Sequence, residues 1–139
     1  MNSYKIDDIY VGMKESFDTK ITQKMMDGFK DITGDENPLH TDDEYAVSKG
    51  YDGKVCYGLL TSSFLSTLAG VYLPGRYSLI RSVEIKCAKP VYPEDELAVT
   101  GTVSDINRDF GFFDMKVEIR NTSGEKVLRG KMQIGFLEE

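Results

Sequence analysis

A chain of 139 residues with 40% hydrophobic and 29% charged residues reads as one globular domain, 1–139, with room for an ordinary core. Its net charge of −6 argues against a nucleic-acid groove, which needs clustered lysine and arginine to displace counterions, although a helix N-terminus can still hold an anion. Two cysteines, Cys56 and Cys87, are too few for a disulfide framework and form no C-x-x-C pair, so both are expected to be reduced core thiols.

Residues 1–8 lack the apolar centre of a signal peptide. The charge-free stretch 55–75 is interrupted by serines, threonines, three glycines and Pro74, which suits a buried helix better than a membrane span. The expectation is a cytoplasmic protein with no membrane and no nucleic-acid partner.

Along the chain, Ile21, Met25, Phe29 and Ile32 recur every three or four residues, predicting an amphipathic helix over 20–32. Gly34 then allows a sharp exit into the loop Asp35-Glu36-Asn37-Pro38-Leu39-His40. Thr41 with Glu44 has the spacing of a capping box and predicts a short helix from there to about Gly50. A charge-free helix is predicted from Tyr57 to about Tyr72, apolar at Leu59, Leu60, Phe64, Leu68 and Val71. With so little polar face it must be wrapped, and the rest of the chain offers only sheet.

Four runs of period two supply that sheet: Val83 to Cys87, Leu97 to Val103, Phe113 to Ile119 and Leu128 to Phe136. Turn residues at 90–95, 107–111 and 121–124 separate them, predicting an antiparallel meander with one face on a helix, an α+β domain.

His40 is the only histidine, and it follows Asp35 by five residues. An imidazole and a carboxylate on one short loop suit proton transfer to and from a bound water. The alternative is an Asx-type turn in which Asp35 caps backbone amides; Pro38 stiffens the loop under either reading by holding Asn37 extended. At the start of the long helix, the amide of Gly58 lacks an intrahelical acceptor and sits at the positive end of the dipole. It is placed either for close packing or to bind the oxygen of a thioester as charge develops there. Ser62, Ser63 and Ser66 have no second histidine to activate them, and one histidine with scattered acids makes no metal-ligand set.

Taken in order, these pieces resemble the MaoC-like family of hot-dog-fold hydratases and dehydratases, especially the (R)-specific enoyl-CoA hydratases. The resemblance is carried by Asp35-x-Asn37-Pro38-Leu39-His40, then Ala46, Tyr51 and Tyr57-Gly58, and continues through Ser66, Leu73-Pro74-Gly75, Pro90-Val91, Glu94-Asp95-Glu96 and Ser123-Gly124-Glu125. It implies an antiparallel sheet around a long central helix, a homodimer, and reversible hydration of trans-2-enoyl thioesters to (R)-3-hydroxyacyl thioesters with no metal or cofactor beyond the coenzyme A or phosphopantetheine that the substrate carries. By position, Asp35, His40 and Gly58 are then catalytic. Asn37, Tyr57 and Ser66 bind substrate, with Ser66 orienting Asp35. One departure is Tyr57, where the family commonly has histidine before the glycine.

Three other readings share this scaffold. A thioesterase would direct water at C1 instead of C3. A dehydratase would act on acyl groups tethered to a carrier protein. A non-catalytic subunit would only bind an acyl chain, and has no need of both Asp35 and His40.

Overall fold

In the computed structural model, which describes residues 1–137, a single 3-10 turn at Ile6–Asp8 precedes a first strand that the sequence hides. β1 (Lys14–Lys20) reads Lys-Glu-Ser-Phe-Asp-Thr-Lys, with Phe17 its one apolar side chain, stacked on Tyr72 at 4.8 Å. Charged residues on an edge strand discourage pairing with other chains. α1 (Gln23–Thr33) starts on Thr22, whose hydroxyl accepts from the Met25 amide, and ends on Gly34 in the left-handed conformation, φ 73°. That glycine turns the chain sharply into the His40 loop.

The next helices begin differently from the expected capping box. α2 (Pro38–Thr41) contains His40 and is capped by Asn37, whose side-chain oxygen accepts from the Leu39 amide at 2.9 Å. α3 (Asp43–Ser48) is capped by Asp42, which accepts from the amides of Glu44 and Tyr45. Thr41 is therefore not the cap. Proline at the first helical position starts the turn three residues earlier, and the carboxylate of Asp42 takes the free amides of the second helix.

α4 (Gly58–Thr67) passes into a wider π turn over Leu68–Tyr72, so the predicted long helix is present but changes winding in its last third. The sheet comprises β1, β2 (Ser78–Cys87), β3 (Glu96–Asn107), β4 (Phe112–Asn121) and β5 (Lys126–Phe136), all antiparallel, in the order β1-β3-β4-β5-β2. Only β3-β4-β5 is a meander; β2 crosses to the far edge and pairs with β5, a correction to the simple four-strand meander.

Inward-facing residues of the sheet, among them Val99, Phe113, Met115, Ile119 and Met132, pack with Leu65, Leu68 and Ala69 of the helix. The approach is close at Gly101, where an added Cβ would stand 2.5 Å from the Met115 sulfur and 3.0 Å from Leu68. This is the α+β hot-dog arrangement of a sheet curved round a helix. The wrapping is one-sided, however. Leu59, Ser63 and Ser66, spaced along one face of α4, are exposed, Leu59 to 68%. β2 is open on both faces, with Leu79, Ile80 and Val83 exposed.

Candidate active site

The loop after α1 is held by a relay of local hydrogen bonds. The Asp35 amide donates to the Thr33 hydroxyl at 3.2 Å, and the Asn37 amide donates to the Asp35 carboxylate at 3.0 Å. Asp35 thus does form the Asx-type turn, which uses one carboxylate oxygen and leaves lone pairs on the other. Its side chain is exposed.

His40 is half-buried and fixed from two sides. Its Nδ1 lies 2.7 Å from the carbonyl oxygen of Val55, while the Val55 amide donates to the Leu39 carbonyl at 3.0 Å. A carbonyl only accepts, so Nδ1 carries the proton. With Nδ1 so committed, Nε2 is the ring nitrogen left to a water or substrate, the arrangement of a general acid–base group or of one that orients water. The sequence singles out His40 but gives no sign of Val55, because a backbone carbonyl leaves no trace in residue identity.

Tyr57 ties the two candidate catalytic groups together. Its hydroxyl donates to the backbone carbonyl of Asp35 at 2.7 Å, and its ring lies 4.3 Å from that of His40 and 4.7 Å from that of Phe29. The residue is only 2% exposed. Burial, with lesser contributions from Asp35 and Asp27, pushes its hydroxyl above the usual tyrosine range, so it stays protonated and donating. Tyr57 is therefore a positioning residue: it serves the loop and lies outside the cavity lining. Tyr57→Phe keeps the ring packing and removes one hydrogen bond, with an expected loss of about 1 kcal/mol. The check is a urea titration: a lower midpoint at unchanged slope is expected, and an unchanged midpoint would place the loop's anchorage elsewhere.

Beside this cluster lies a cavity of about 270 Å³. His40, Gly58 and Thr61 line one side, and Cys87, Val91 and Leu128 the other. Gly58 is the first residue of α4, so its N–H has no acceptor one turn back and sits at the positive end of the helix. The structure thus brings His40 and the Gly58 amide to one cavity. Asp35 and Asn37 are on the same loop as His40 but outside the lining, and the Asn37 side chain is used as the cap of α2. Ser66 lies exposed two turns beyond Gly58, and among the described residues no hydrogen bond joins it to Asp35.

The two thiols differ, contrary to their common reading as core. Cys56 is 3% exposed, and burial, assisted by Asp95 and Glu94, pushes its thiol up to about 12. Cys87 is exposed. It shares one face of β2 with exposed Val83 and partly buried Ile85, and it ends the strand at the cavity. Among the described residues, no group of three or more His, Cys, Asp or Glu side chains could hold a metal ion, and no helix is long and apolar enough to cross a membrane.

Residues 10–126, the segment that carries β1, the loop, α4 and most of the sheet, match the MaoC-like domain. The chain belongs to that family. Similar to this MaoC-like chain are (R)-specific enoyl-CoA hydratases of Rhodospirillum rubrum, 24% identical over 92% of this chain and 88% of the relative, and of Aeromonas caviae, 25% identical over 87% and 90%. A 3-hydroxybutyryl-CoA dehydratase of Methylorubrum extorquens is 29% identical over 72% of this chain, and the match spans 64% of that relative's length. Among solved structures, an unliganded R-hydratase from Pseudomonas aeruginosa superposes with a TM-score of 0.89 at 24% identity, over 97% of this chain and 86% of that one. The named relatives of this MaoC-like chain are hydratases and dehydratases, which places it among hydro-lyases.

Proposed function

We propose that the protein adds water reversibly across trans-2-enoyl-CoA, giving (R)-3-hydroxyacyl-CoA, with no metal or redox cofactor. The observation that carries this reading is the meeting of His40 and the Gly58 amide at one cavity, with Nδ1 of His40 committed to the Val55 carbonyl. A thioester whose oxygen accepts from Gly58 N–H presents its C2–C3 double bond within the cavity. Water oxygen bonds to C3, the double-bond electrons move onto the thioester oxygen, and the positive end of α4 stabilises the resulting enolate. The proton lost by water passes to the carboxylate of Asp35 while Nε2 of His40 holds that water, and the proton so taken is returned from this pair to C2 as the enolate collapses.

Crotonyl-CoA, a short 2-enoyl thioester, is the first substrate on which turnover is expected. A spectrophotometric assay separates the reactions: hydration removes the enoyl-thioester absorbance and frees no thiol, whereas hydrolysis releases free coenzyme A. Thiol release from saturated acyl-CoA at a comparable rate would replace this reading with a thioesterase.

The same reading includes a homodimer. The face of α4 that carries Leu59, Ser63 and Ser66 and the open edge β2, with Leu79, Ile80 and Val83, are both exposed in a single chain, and a second copy would cover them together. Sedimentation is expected at twice the 15.6 kDa chain mass, and a single-chain mass at micromolar concentration would contradict it.

A further inference from the structure

β2 ends at Cys87, whose register partner across the sheet is Leu128. Both residues line the cavity, so the last rung of the β2–β5 ladder fixes where the Cys87 side chain stands. Opposite it is Gly58. A Cβ built on Gly58 would lie 2.9 Å from Sγ and 3.9 Å from Cβ of Cys87, so the thiol covers the Gly58 backbone on the cavity side. A ligand whose oxygen accepts from the Gly58 amide must run alongside this sulfur.

We propose that Cys87 is the specificity-determining wall of the thioester slot, setting the width available next to the Gly58 amide. The proposal rests on the binding half of the hydratase reading, a thioester with its oxygen on that amide. The atoms bonded to the thioester carbonyl carbon are C2 and sulfur, and these are the atoms closest to the wall. Sulfur carries no branch, whereas C2 can carry a methyl group. Cys87 therefore governs whether a 2-methyl-2-enoyl thioester fits beside the unbranched one. Cysteine is a small side chain on an exposed strand end, so both a larger and a smaller residue can be placed there without disturbing the core.

The wall can be read without any turnover. Cys56 is buried with its thiol held protonated, so an aromatic disulfide reagent added to the folded protein reports Cys87 alone. Saturated butyryl-CoA, which cannot be hydrated, is expected to slow that reaction roughly tenfold at about ten times its dissociation constant, because only the unoccupied fraction reacts. Cys87→Ala should remove the fast thiol signal. A fast signal that survives in Cys87→Ala, or a rate that saturating butyryl-CoA leaves unchanged, would overturn the proposal.

A second arm uses substrate. Cys87→Val, with wild-type circular dichroism, is expected to raise KM for crotonyl-CoA by roughly tenfold or more through overfilling of the slot. Cys87→Ala is expected to shift kcat/KM toward 2-methylcrotonyl-CoA relative to crotonyl-CoA. Equal KM values in the wild type and Cys87→Val would overturn the proposal. Protection of the thiol without any hydration by the wild type would instead contradict the hydratase reading and leave the wall in place.

Discussion

His40→Ala is expected to lower kcat for enoyl-CoA hydration by roughly 10²–10⁴, and Asp35→Asn by a similar factor, the usual range for loss of one acid–base group. For His40 the effect traces to Val55. Its carbonyl accepts the hydrogen bond from Nδ1–H and leaves Nε2 as the one imidazole nitrogen of the chain available to a water. Removing it abolishes the only group of its kind at the cavity, while the fold loses a half-buried side chain whose neighbours Leu39 and Val55 remain joined through their backbones. Asp35→Asn keeps an oxygen able to accept from the Asn37 amide, so the turn is preserved and only the capacity to take a proton is lost. The effect should therefore appear in kcat, with melting temperatures close to wild type. Either variant, folded and turning over within a few fold of wild type, would contradict the assigned roles.

Gly130→Ala is expected to cost about 3 kcal/mol, the upper end for inserting a carbon into a packed interior. The added Cβ would stand 1.9 Å from the carbonyl oxygen of Glu84 and 3.1 Å from the Cα of Ile85. Both are backbone atoms of β2, so no rotamer change relieves the clash. Gly130 is the register partner of Ile85, and opening that rung loosens the strand that brings Cys87 to the cavity. Differential scanning calorimetry should show a fall in Tm of roughly 10 °C for a domain of this size. A fall of less than about 2 °C would mean that β2 and β5 are not paired in this register.

The parts of the fold that follow from periodicity are legible in the sequence. The alternation of Phe113, Met115, Val117 and Ile119 becomes a buried face of β4, and the three-to-four spacing locates α1, although the helix buries Met26 and leaves Met25 and Ile32 exposed. What escapes is structure held by long-range contact. β1 has one apolar residue, because an edge strand needs little burial and benefits from charge. The placement of β2 beyond β5 depends on a crossover that no local pattern encodes.

The site divides in the same way. His40, Asp35 and Gly58 stand out by residue type and position, whereas the Val55 carbonyl and the Cys87 wall depend on which backbones meet. Tyr57 shows the difference most plainly. Its place before Gly58 suggests a contact with substrate, but the structure uses its hydroxyl to hold the Asp35 carbonyl and its ring to pack on His40. Thr41 and Asp42 are both competent caps, and the choice between them turns on Pro38 starting a helix earlier.

The most direct test of this account is the loss of enoyl-thioester absorbance from crotonyl-CoA, followed for wild type beside Asp35→Asn, with chiral analysis of the product. Loss with the wild type alone, yielding (R)-3-hydroxybutyryl-CoA, is the predicted result. Equal rates for the two proteins, or a product of (S) configuration, would contradict it.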